Sequence, residues 1–175
     1  MKYLFLLLLT AFSLLSSAQQ KAKIGMTVNE VMKLYPNIKS DTVGNEITLS
    51  RTENLYGLND TWGYRFKEEK LDWIFFHKYI KETTSSNFND CLKATQKLIE
   101  DYTNAYGKPD TTLIGNTSFI DPYVKKHWGY DVLEVRWQNY NDMKIKIEFT
   151  FMGGKGEYYF LVQIHYFDKN YPYFD

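Results

Sequence analysis

The hydrophobic pattern of the chain switches twice from a helical period to strict alternation. The first helical stretch starts at Thr27, which with Glu30 three residues later has the spacing of a capping box, while Met26 and Val31 sit as a hydrophobic staple. Val28, Val31, Met32 and Tyr35 then fall at i, i+3, i+4 and i+7, one apolar stripe, and Pro36 stops the helix. Alternation follows. Ile47 and Leu49, then Trp62, Tyr64 and Phe66, are separated by polar neighbours and read as strands. Lys67-Glu68-Glu69-Lys70 is a turn into Leu71-Asp72-Trp73-Ile74-Phe75-Phe76-His77, a strand apolar on both faces.

A polar connector from Glu82 to Ser86 separates this from a second helix, about Asn87 to Tyr106, with Phe88, Cys91, Leu92, Thr95, Ile99 and Tyr102 on its stripe. Gly107 caps it and Pro109 prevents its continuation. An edge-like strand near Thr111 to Ile114 precedes three strongly patterned ones. One face of these carries Leu133, Val135 and Trp137, then Met143, Ile145, Ile147, Phe149 and Phe151, then Phe160, Val162, Ile164 and Tyr166. Their other face carries Glu134 and Arg136, then Lys144, Lys146, Glu148 and Thr150, then Tyr159, Leu161, Gln163, His165 and Phe167. One dry and one mixed face are the pattern of an antiparallel sheet. The expected fold is α+β, with two sequential helix-then-antiparallel-sheet units (α-β-β-β, then α-β-β-β-β) and helices packed on one sheet face. The units span 19–82 and 83–175 and are expected to share one compact domain.

The segment before them has a different character. Lys2 gives a positive start, Leu4-Phe5-Leu6-Leu7-Leu8-Leu9 through Leu14-Leu15 an apolar run, and Ser16-Ser17-Ala18 a small-residue cleavage site. A membrane span needs about 20 apolar residues, so the run reads as a signal peptide over 1–18, cleaved after Ala18. The expected location is periplasmic or secreted. The one cysteine, Cys91, is far from the cleavage point, so neither a lipid anchor nor an internal disulfide is expected, and its place on a helix stripe predicts burial.

Composition narrows the partners. Twenty-one basic residues balance 21 acidic ones, which leaves no electrostatic footprint for nucleic acid or an anionic membrane. His77, His127 and His165 lack metal-ligand spacing, and no cofactor motif is present. Gly153-Gly154-Lys155-Gly156 joins two strands, not a strand to a helix, and reads as a hairpin turn where a phosphate loop would need a helix N-terminus. Asp168-Lys169-Asn170 opens like a calcium loop, but Pro172 stands where an oxygen ligand belongs. No metal, no cofactor and no catalytic residue is expected.

Ile24-Gly25-Met26-Thr27-Val28-Asn29-Glu30-Val31 resembles the opening of the SmpA/OmlA-type outer-membrane assembly lipoproteins and of the related β-lactamase-inhibitor-protein-like (BLIP-like) domains. The helix end Asp101 to Pro109 is similar to the helix, Gly-x-Pro, strand transition of that group. The chain departs from the group at Tyr35-Pro36-Asn37, where glycine is usual before proline, and in lacking a lipobox cysteine. The resemblance implies a non-enzymatic module, a tandem of helix-plus-sheet units, that binds another protein on its open sheet face.

Fifteen tyrosines, 12 phenylalanines and four tryptophans exceed what a core of this size takes up. Tyrosine offers large contact area with a polar tip, which suits recognition of protein or glycan. The expected binding face is Glu134, Arg136, Lys146, Glu148, Tyr159, Gln163 and His165. An envelope or extracellular protein is the expected partner. A small-molecule or glycan ligand in a tyrosine-lined pocket is the alternative, and a hydrolase of unrecognised type the third reading.

Overall fold

A computed structural model describes residues 21–43, 46–121, 129–154 and 157–171; the expected signal peptide, its cleavage point and His127 lie outside them. Thr27 starts helix α1, Val28–Leu34, through the expected capping box: its side chain accepts from the Glu30 amide and the Glu30 carboxylate accepts from the Thr27 amide. Strands β1 (Lys39–Val43), β2 (Glu46–Leu55), β3 (Leu58–Lys67) and β4 (Lys70–Ile80) follow as successive hairpins. Helix α2, Ser85–Tyr106, leads to β5 (Thr111–Ile114), β6 (Gly129–Tyr140), β7 (Met143–Gly154) and β8 (Glu157–Asp168). The turns are tight because both central residues take positive φ, at Glu68 and Glu69 (51° and 62°) and at Asn141 and Asp142 (48° and 63°). That geometry matches the twist of the strands they join.

All eight strands form one sheet in the order β1-β2-β3-β4-β8-β7-β6-β5. This overturns the expected fold of two helix-then-sheet units with helices packed on one sheet face: there is one sheet, and of the described helices only α2 lies along it. The last strand of the chain returns to the middle and pairs with β4 from Trp73↔Phe167 to Ile80↔Phe160, so neither half has a sheet of its own. The first half also has four strands where three were expected. Lys39-Ser40-Asp41-Thr42-Val43 is exposed throughout and has no apolar alternation to announce it. The two described helices are unequal as well. α1 has seven residues and is tied to the start of β4, where the Gly25 amide donates to the Leu71 carbonyl and the Leu71 amide to the Met26 carbonyl.

α2 supplies the main cover of the dry face. Phe88 meets Phe149 and Phe160 at centroid distances of 5.3 and 5.7 Å, and Tyr102 lies 6.1 Å from Trp137 and 6.2 Å from Tyr166. The Tyr102 and Tyr166 hydroxyls bond each other, which satisfies two polar tips inside an aromatic core. Ala94 and Leu98 are buried with this stripe, whereas Leu92 and Ile99 are only half-buried. Cys91 is fully buried, and that burial, with Asp90 nearby, pushes its thiol up to about 12. A thiol so protonated is no nucleophile.

Candidate functional site

The other face of the sheet has no helix on it among the described residues, and side-chain alternation puts a polar and aromatic set there. Cross-strand registers align three rows: Arg136, Lys146, His165, Phe75 and Gly63; Glu134, Glu148, Gln163, His77 and Thr61; Lys144, Phe167, Trp73 and Arg65. Six of the expected binding residues, Glu134, Arg136, Lys146, Glu148, Gln163 and His165, therefore lie together on β6, β7 and β8. Tyr159 shares the face but not the cluster. At six residues from His165 along β8 it sits roughly 20 Å away, where its hydroxyl donates to the Met152 sulfur at 3.6 Å and its ring lies 5.6 Å from Tyr79.

The centre of the face is a connected polar network. Trp73 Nε1 donates to His165 Nδ1 at 3.1 Å, and His165 Nε2 lies 3.5 Å from Glu148 Oε1. Glu148 Oε2 in turn meets Lys146 Nζ at 3.0 Å. An indole nitrogen only donates, so Nδ1 must be the unprotonated nitrogen and Nε2 must carry the hydrogen. The geometry thus fixes a neutral tautomer. Burial depresses the His165 pKa further, although Glu148 opposes it. For Glu148, burial works to raise the carboxyl pKa, but the His165 hydrogen bond and the Lys146 charge outweigh it, and the group stays below its ordinary value. Arg136 Nε binds Glu134 Oε1 at 2.7 Å, so Glu134, Arg136, Lys146 and Glu148 are paired within the face.

Aromatic rings flank this network, and the sequence reading missed their part in the site. Trp73 stacks on His165 at 5.6 Å and on Phe167 at 5.9 Å, Phe167 on Tyr171 at 4.3 Å, and Arg65 lies 4.8 Å over the Trp73 ring. Arg65 is held there by Asp72 at 2.6 Å. Phe75 lies flat across Gly63, where an added Cβ would stand 2.1 Å from its ring. His77 sits 5.1 Å from the His165 ring; its Nε2 is buried and makes no hydrogen bond. Burial first, then the neighbouring His165, lower its pKa to about 4. The signal for this half of the site was the strand Leu71 to His77 being apolar on both faces.

A shallow cleft of about 440 Å³ opens on the same face beside the network, bounded by Asp131, Glu148, Thr150, Met152 and Gln163. The Thr150 hydroxyl there is buried without a hydrogen bond. The tyrosine-lined pocket between helix and sheet is much smaller: Tyr106, Tyr140 and Tyr166 bound about 160 Å³, less than the roughly 300 Å³ at which small-molecule sites begin. The remaining sequence candidates are turns. Gly154 pairs with Glu157 across a hairpin, and Asp168 accepts the Asn170 amide at 2.8 Å. No three His, Cys, Asp or Glu side chains among the described residues are placed to hold a metal. No described helix is long and apolar enough to cross a membrane.

Fold and face together define a single-sheet α+β domain with one covered aromatic side and one open side of paired charges between stacked rings. Compared with known proteins, the chain matches no family model, no curated protein and no solved structure.

Proposed function

We propose that the open sheet face is a recognition surface and that the protein is a non-enzymatic binding protein exported to the bacterial envelope. The observation that carries this is the combination, on one sheet face, of ion pairs already in place with exposed Tyr79 and Met152 packed about the half-buried Tyr159. Side chains fixed before contact lose little freedom on binding, and aromatic residues beside them supply the contact area. The same geometry weighs against hydrolysis at His165. A general base needs a free lone pair, and its only one accepts the Trp73 hydrogen.

The test is capture from an envelope fraction on immobilised protein lacking residues 1–18, with wild type run beside an Arg136→Glu/Lys146→Glu variant. One stoichiometric protein retained by wild type and lost by the variant is the expected result. Retention unchanged by the variant, or no partner at all, overturns the reading. A second reading, a small polyhydroxylated ligand, is favoured by the cleft with Asp131 and Gln163 at its walls. It predicts saturable binding of a neutral oligosaccharide that Gln163→Ala abolishes and that leaves protein capture untouched.

A further inference from the structure

A second site lies at the opposite end of the sheet, where β1 stops short. β1 pairs with β2 only as far as Lys39↔Ser50, while β2 continues through Arg51 to Leu55. Tyr35, Pro36 and Ile38, leaving α1, turn back over that uncovered length of β2. They form the apolar wall of a cleft of about 410 Å³ whose other wall includes Arg51, Thr52 and Lys39. Among the described residues no acidic side chain lines it, and Glu53 stands behind Arg51 as its ion-pair partner.

Arg51 is the unusual member. Its cross-strand partner Trp62 faces the core, and its guanidinium lies 4.5 Å from the Tyr35 ring centroid and 6.0 Å from that of Trp62. Nε donates to the Tyr64 hydroxyl at 2.8 Å and Nη1 meets Glu53 at 2.6 Å. Those contacts fix the plane of the group, and Nη2 makes no hydrogen bond to any described residue. An arginine held in one orientation, with donors to spare and a lysine at the rim, matches the paired oxygens of a carboxylate or phosphate. The apolar wall matches an organic body on the same ligand. The volume falls in the range of small-molecule sites.

We propose that this cleft binds a small organic oxyanion, with Arg51 as the anchoring group, Lys39 as the rim charge and the Tyr35–Ile38 turn against the ligand's apolar part. The site lies at the β2 edge of the sheet, away from the charged network on β6, β7 and β8, and does not depend on the function of that network.

The test follows backbone amide NMR shifts on titration at low salt with benzoate, with phenyl phosphate and with neutral benzyl alcohol. Saturable shifts at Thr52 and around Tyr35 are expected with at least one of the two anions and none with the alcohol; which anion binds decides between carboxylate and phosphate ester. Arg51→Lys loses the fork geometry and weakens binding about tenfold or more. Because Arg51 also contacts Tyr64, Thr52→Glu is the companion variant: Thr52 is exposed, so the fold is untouched while a negative charge enters the cleft and abolishes binding. No saturable shift with either anion, equal binding of benzyl alcohol, or unchanged affinity in Thr52→Glu overturns the proposal.

Discussion

The two faces of the sheet solve the burial of aromatic side chains differently. On the covered side, Phe88, Phe149 and Phe160 pack ring against ring beneath α2, and the buried phenols satisfy one another. On the open side, rings of similar size stack on one another beside a charged network, in which Glu148 and His165 are only 8 % and 5 % exposed with no described helix above them. The first arrangement derives its stability from area removed from water. In the second, each polar group depends on its partner, because a buried charge left alone is costly. Substitutions should therefore act through volume on one face and through charge state on the other.

The largest effect is expected on the covered side. Phe160→Ala should cost about 3–5 kcal/mol, the usual range for deleting a buried phenylalanine, read as a lower urea midpoint. A loss below about 1 kcal/mol would show that α2 can collapse onto the space, and the contrast between the faces would fall.

Acid should act on the open side. His77 has a folded pKa of about 4, below its unfolded value near 6.5. The stability it contributes is complete above about pH 6.5 and is lost as pH falls towards 4. His165, also depressed, adds in the same direction. Between pH 7 and pH 4.5 the His77 share amounts to about 2–3 kcal/mol. Comparing urea unfolding of wild type and His77→Phe at the two pH values checks this: the variant should lose much of the acid sensitivity, and an unchanged pH profile would place its source elsewhere.

Gly63→Ala tests whether the open-face rings are packed or merely resting there. The new Cβ displaces Phe75 from the strand, at a cost of about 1–3 kcal/mol typical of overpacking. Tryptophan emission should shift as Trp73, 4.5 Å from Phe75, changes its surroundings. Both effects should be absent if the ring swings clear.

The smallest change serves as a baseline belonging to neither face. Lys97→Ala breaks pairs with the exposed Glu100 and the half-buried Asp101 on α2 and should move stability by no more than about 0.5 kcal/mol. A larger loss in thermal melting would mean that α2 docking depends on that surface network.

Much of this was legible from local pattern. The capping box at Thr27, the glycine stop at Gly107 and the alternation of β6, β7 and β8 depend on neighbours within a few residues, which the chain carries in its order. For the same reason Glu134, Arg136, Lys146, Glu148, Gln163 and His165 could be assigned to one face. β1 was not legible, because an exposed edge strand needs no apolar alternation. Arg51 was not either, since its environment comes from Tyr35 and Tyr64, on separate elements.

What the sequence determined by itself is which side chains share a face in the patterned strands and where the two described helices begin and end to within a few residues, because period, caps and turns are local. Which strands become neighbours was decided only in the tertiary structure. Leu71 to His77, apolar on both sides, took partners on both edges, β3 on one and β8 on the other. That pairing merged two expected units into one sheet, and it alone brought Trp73 and His77 from one half of the chain against His165 and Glu148 from the other.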